Sequence, residues 1–134
     1  VTTSRSSFVV VALAAAALPG LKSPSGNIRC AALPTVLHCD VAHAAYARQL
    51  QRRCQAVAGV DWHGFELTRS RRGGFVCSGG IWYAGGRPPR YVTLPYGRTW
   101  RYRAFACRSR VTSVTCTSRG GHGLFISRAS WRAW

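Results

Sequence analysis

Apolar and polar positions alternate in short blocks along most of this chain, and clusters of Gly, Pro and Ser separate the blocks. That pattern predicts a mainly β fold, a small antiparallel domain of disulfide-stapled hairpins with one short helix. Asn27 to Leu33 and Val36 to Val41 read as the first two strands, joined by a turn at Pro34-Thr35. From Asp40 the pattern changes. Ala42, Ala44, Ala45 and Ala47 favour helix, with Asp40 placed as its N-cap, and Tyr46, Leu50, Cys54 and Val57 recur at helical spacing as a narrow apolar stripe. Arg48, Gln49, Gln51 and Arg52 then face water, and the helix ends near Gly59.

Asp61-Trp62-His63-Gly64 reads as a turn into the strand Phe65-Glu66-Leu67-Thr68. Arg69 to Gly74 is the tip of a basic hairpin that returns through Phe75-Val76-Cys77. Gly79-Gly80 and Gly85-Gly86 flank Ile81-Trp82-Tyr83, and Arg87-Pro88-Pro89-Arg90 reads as an exposed loop because paired prolines cannot donate to a sheet. Tyr91 to Leu94 is a short strand and Pro95-Tyr96-Gly97 a turn. The clearest alternation runs from Trp100 to Arg108, with Trp100, Tyr102, Ala104 and Ala106 on one face and Arg101, Arg103, Phe105 and Cys107 on the other. Val114 to Thr117 pairs back on it, Gly120 to Gly123 turns the chain, and Leu124 to Ser127 is the last strand. Trp131 and Trp134 are placed to cover an open sheet edge.

The N-terminal block breaks this rhythm. Arg5 precedes an apolar run from Phe8 to Leu18, and Ala15 and Ala17 satisfy the small-residue rule for cleavage after Ala17. The run is shorter than the roughly 20 apolar residues of a comfortable membrane span. Residues 1–20 are therefore expected to be a signal peptide or N-terminal anchor, and residues 21–134 one domain in a secreted or envelope location.

Export gives the six cysteines an oxidising compartment, where an even count predicts disulfides. Cys30/Cys39 and Cys107/Cys116 each enclose eight residues, which suits two facing strands, and Cys54 is left to pair with Cys77. Zinc is the competing reading, but neither Cys-x2-Cys nor regular His spacing supports it.

Charge narrows the function classes. Nineteen Lys+Arg against three Asp+Glu give a net charge of +16, and Lys22 is the single lysine. Such a field attracts polyanions; the duller reading is a solvated basic surface set by arginine-rich composition. Asp40, Asp61 and Glu66 are the only acids, which argues against hydrolysis by paired carboxylates. A ribonuclease-like hydrolase would draw its base and acid from Glu66, His38, His43, His63 and His122. A cationic membrane-active role lacks a long basic amphipathic helix. No catalytic residue, metal or cofactor is indicated. The favoured reading is a monomeric, non-catalytic module that binds an anionic envelope polymer or glycan, with nucleic acid less favoured and no protein partner evident. Its candidate face interleaves Trp82, Tyr83, Trp100 and Tyr102 with Arg87, Arg90, Arg101 and Arg103, since aromatic platforms beside guanidinium groups suit such ligands. The competing reading puts those aromatics in the core.

The sequence Ser23-Pro24-Ser25-Gly26-Asn27-Ile28, then Cys30 and Cys39-Asp40, resembles a family of small secreted, mostly actinobacterial proteins known as a domain of unknown function. The match continues through Cys54, Asp61-Trp62, Cys77, Leu94, Tyr96-Gly97, Cys107, Ser109, Val114-Thr115-Cys116, Gly121-His122-Gly123 and Ser127-Arg128. The resemblance implies an exported, disulfide-bonded, β-rich domain and no particular reaction. Gly79 stands where the family tends to have Asp, Ser113 where it prefers Gly, and an Ala-rich stretch replaces its proline-bearing segment after Cys39.

Overall fold

The computed structural model describes residues 2–10, 17–80 and 87–134. Two antiparallel-rich sheets pack face to face. The elements are β1 (Leu18–Lys22), β2 (Ile28–Ala32), β3 (Val36–Val41), α1 (Ala47–Ala58), β4 (Trp62–Thr68), β5 (Gly74–Cys77), β6 (Pro89–Thr93), β7 (Thr99–Tyr102), β8 (Phe105–Ser109), β9 (Ser113–Ser118), β10 (Gly123–Ser127) and β11 (Trp131–Ala133). Sheet A has the order β5-β4-β3-β2-β1-β6, and sheet B is the meander β11-β10-β9-β8-β7. Among the described residues the one parallel pair is β1 with β6.

The alternation of each strand fills the space between the sheets. Leu21, Leu37, Phe65 and Leu67 from sheet A meet Phe105, Val114, Leu124 and Ile126 from sheet B, all at most 1% exposed. Each such side chain contributes roughly 1.5–3 kcal/mol by leaving water. The three disulfides are Cys30–Cys39, Cys54–Cys77 and Cys107–Cys116. Hydrogen bonds from Leu33 N to Val36 O and from Ala42 N to Asn27 O put Cys30 and Cys39 at a non-bonded pair between them. There the Cα atoms come closest, here 4.0 Å. Cys107 and Cys116 follow from the Arg110–Ser113 bond in the same way. The two hairpin staples meet in the core, with the Sγ atoms of Cys30, Cys39 and Cys116 all within 4.8 Å of one another. Every cysteine is oxidised, so no thiolate remains to hold zinc. Cys54–Cys77 ties α1 to β5. Three disulfides fit an oxidising, extracytoplasmic environment. Among the described residues no helix is long and apolar enough to cross a membrane.

Leu18 and Leu21 are buried, and β1 lies inside sheet A between β2 and β6. Four expectations are corrected. Asp40 caps no helix: it belongs to β3 and pairs with Arg29, while α1 starts at Ala47 behind Tyr46, which makes no side-chain cap. The stripe on α1 stops at Cys54, since Val57 is 87% exposed. Finally, Trp100 to Arg108 is not one strand. It folds back between Tyr102 and Phe105, which pair directly. The reversal sets Trp100 opposite Cys107 and Tyr102 opposite Phe105, so the aromatics share the inward face that single-strand alternation denied them. Arg87-Pro88-Pro89-Arg90 is partly strand: β6 starts at Pro89, on the outer edge of sheet A where a missing N–H is tolerated.

Candidate functional site

The loops at one end of the sandwich converge. The β1–β2 loop brings Ser23, Ser25, Gly26 and Asn27, and the segment after β3 brings Ala42 and His43. Tyr96 comes from the β6–β7 turn, Arg110 to Ser113 from the β8–β9 turn, and Ser127 to Ala129 from the end of β10; with Ile28 and Phe125 they line a cleft of about 650 Å³. That volume suits a small-molecule or oligomer site. A second hollow of about 450 Å³ shares Ala42, His43 and Arg128 with it, so the depression continues past Arg128.

Local chemistry builds each wall. Ser23-Pro24-Ser25-Gly26 is a β-turn closed by Gly26 N on Ser23 O at 2.8 Å, with Pro24 at the second position and Gly26 at φ 75°. The Ser23 hydroxyl accepts Ile28 N at 3.1 Å, and the Ser25 hydroxyl accepts Asn27 N at 3.2 Å. Asn27 then acts as a short strand of its own: its Oδ1 accepts His43 N at 2.8 Å while its Nδ2 donates to His43 O at 3.1 Å. Ala45 N donates to Arg128 O and Tyr46 Oη to Ser127 O, both at 2.8 Å. The His43–Tyr46 segment is thereby clasped to sheet A on one side and sheet B on the other. The Ser127 hydroxyl donates to Ser130 O and accepts Ser130 N, both at 2.9 Å, fixing the turn that carries Arg128. Burial in this clasp pushes the Tyr46 phenol up to about 12.

The cleft has a definite character. Tyr96, half exposed, and Phe125 offer ring surface, while Ser25, Thr112 and Ser113 offer hydroxyls. Arg110 and Arg128 supply two guanidinium groups, and no acid lines the walls. Among the described residues neither arginine is paired with a carboxylate; the ion pair found there is His38–Asp40.

Six residues of the face anticipated from sequence are described, and they are divided between the two sheets. Trp82 and Tyr83 lie outside the described residues, as does most of the N-terminal apolar run. Trp100 and Tyr102 pack against the core, with ring centroids 6.2 Å apart. Arg101 is exposed on β7, Arg103 sits at the hairpin tip, and Arg87 and Arg90 are exposed on or beside β6, in the other sheet. The histidines are dispersed too. His38 is buried, 3.2 Å from Asp40 Oδ1 and in register with Glu66. His63 is exposed on β4, and His122 Nδ1 contacts Trp134 O at 3.2 Å. Only His43 reaches the cleft. What sequence reasoning missed is that the Ser23–Asn27 turn, Tyr96 and Ser127-Arg128, far apart along the chain, are neighbours in space. Comparison with protein-family models, curated proteins and solved structures finds no match to this chain.

Proposed function

We propose that this chain is a secreted, non-catalytic domain whose cleft holds a segment of an anionic envelope polysaccharide. The observation that carries the reading is the cleft's composition: two arginines without carboxylate partners, ring surface from Tyr96 and Phe125, and no lining acid. Sugar rings stack on aromatics, and planar guanidinium groups pair with carboxylates through two parallel hydrogen bonds. The groove past Arg128 suits a chain better than a compact ligand. Export is supported by the Ala15/Ala17 cleavage pattern just ahead of β1 and by three disulfides. Phe8, Val9 and Val10 of the apolar run stand exposed, apart from the core.

The test is calorimetric titration with a short oligogalacturonate and with a neutral oligosaccharide of equal length. The charged ligand binds and the neutral one does not. Arg110→Gln with Arg128→Gln weakens binding by about tenfold or more, since hydrogen bonds to charged groups are worth roughly 1.5–3 kcal/mol each. Arg48→Gln with Arg52→Gln on α1 removes the same charge elsewhere and leaves affinity within about twofold. Equal losses in both double variants would reduce the effect to net charge and sink the cleft.

A further inference from the structure

The opposite end of the sandwich carries its own arginines, on turns instead of loops. The β4–β5 turn presents Arg69 and Arg71, the β7–β8 turn Arg103, and the β9–β10 turn Arg119; all four are exposed. Among the described residues none is paired with a carboxylate. Their backbones form one bonded platform. Arg119 N donates to Ala104 O at 2.8 Å, the Ser118 hydroxyl donates to Arg69 O at 3.3 Å, and Arg71 N donates to the Thr68 hydroxyl at 3.1 Å.

Arg103 is the informative residue. It holds φ 50°, and no other described non-glycine residue has positive φ. It fills the first place of a two-residue hairpin turn, where glycine is preferred when φ is positive. An arginine there costs stability that a glycine would not. Its guanidinium is also aimed: Nε donates to Tyr102 Oη at 3.1 Å, and the group lies 5.5 Å from that ring's centre. Strain kept at an exposed tip, with an oriented charge, argues for use.

We infer that this turn end is a second anion-binding surface, for the charged backbone of a long carboxylated polysaccharide. Four guanidinium groups on a rigid platform repel one another, and a polymer with a carboxylate on each repeating unit relieves that repulsion without ordering loops first. Nucleic acid fits less well, because the described rings at this end are each partly covered, which limits base stacking. Tyr102 packs on the core and under Arg103, and Trp134 lies against Gly123 and beneath Arg132. With the cleft at the other end, one molecule then joins two polymer chains. The class of polymer rests on the function proposed above; the surface itself does not.

The experiment uses long polygalacturonate and the cleft variant Arg110→Gln/Arg128→Gln, so that cleft failure, read with the short oligomer, stays separate. The cleft variant retains the long polymer. Adding Arg103→Gly and Arg119→Gln lowers its retention about tenfold, whereas adding Arg48→Gln and Arg52→Gln changes it less than about twofold. Arg103→Gly alone raises the melting temperature while weakening retention, a combination that a structural role would not give. In the unsubstituted protein, polygalacturonate below one chain per molecule produces light scattering, which the Arg103→Gly/Arg119→Gln variant abolishes. Equal losses from the α1 and turn pairs, unchanged retention in Arg103→Gly, or about tenfold tighter binding of oligo(dT) than of polygalacturonate would each overturn the inference.

Discussion

The two ends of the sandwich differ in how many of their glycines are there for room. At the cleft end Gly26 and Gly97 have φ of 75° and 79°, and a Cβ on either would meet nothing within 4 Å. They are there for backbone conformation, in loops held by side chains such as Asn27 and Ser127. At the arginine end Gly121 does the same, with φ 86° and open space around it, but three other glycines are there for room. A Cβ on Gly73 would sit 2.6 Å from Glu66 O, one on Gly120 would strike Arg69 O, and one on Gly123 would strike the Trp134 ring. One end is open and shaped by side chains; the other has turns that approach one another closely, twice backbone against backbone and once against a ring. A recognition cleft needs room and adjustable donors, whereas a charged platform needs turns that do not move.

The largest test of that contrast sets one glycine against another. Gly120→Ala forces the β9–β10 turn away from Arg69 and costs roughly 3 kcal/mol, because backbone rather than a flexible side chain must yield. Gly26→Ala places a side chain in open space and pays only for left-handed backbone, about 1–2 kcal/mol. Chemical denaturation of the two variants measures the difference directly. Equal costs would show that the ends are not built differently.

The sequence made the local parts of this architecture legible and hid the parts that depend on assembly. Two disulfide pairings follow from strand spacing and the third by elimination, and the hairpin over Arg69 to Gly74 follows from its glycines. β1 was obscured because Leu18 continues an apolar run that reads as an export signal. The β7–β8 turn was obscured because Arg103-Ala104 contains none of the residues that normally mark a turn, which is the same anomaly that makes Arg103 informative. The helix start was misplaced because an Asp before an alanine cluster looks like a cap, whereas Asp40 sits in a strand beside His38. The cleft itself was out of reach. Ser25 and Tyr96 read as turn residues and Arg110 and Arg128 carried no reading of their own; only the pairing of β1 with β6 and the meander of sheet B bring the four together.

The clasp that shapes the cleft has a pH signature. Tyr46 has its phenol raised from an ordinary value near 10 to about 12, because burial disfavours the phenolate. A group whose folded value lies above its unfolded one contributes stability fully below about pH 10, and that contribution is lost as pH rises through about 12. Tyr46→Phe removes the bond to Ser127 O, so it costs about 1 kcal/mol near pH 8. It also removes the ionising group, so the gap between variant and parent narrows near pH 11. Urea unfolding at the two pH values reads this out, and disulfide exchange does not confuse it because the chain has no free thiol to initiate it. A gap that stays constant would mean the phenol does not titrate with folding.

The smallest expected effect concerns the floor between the β6–β7 and β8–β9 turns. Ser109 closes β8 immediately before Arg110, and its carbonyl accepts Gly97 N at 2.7 Å. Its side chain is fully buried, and the hydroxyl has no hydrogen-bond partner among the described residues. A buried hydroxyl in that position gives up its hydration for nothing, so Ser109→Ala should be neutral or stabilising by up to about 1 kcal/mol. The contrast is with Ser118 at the other end, whose hydroxyl joins two turns through Arg69 O; Ser118→Ala loses that bond and should cost about 1 kcal/mol. Opposite signs from the same substitution would show that the serine hydroxyl is bonded at the arginine end and unbonded beside Arg110. A loss at Ser109 as large as that at Ser118 would instead mean that its hydroxyl is bonded in solution, and that the cleft floor is held as firmly as the turns.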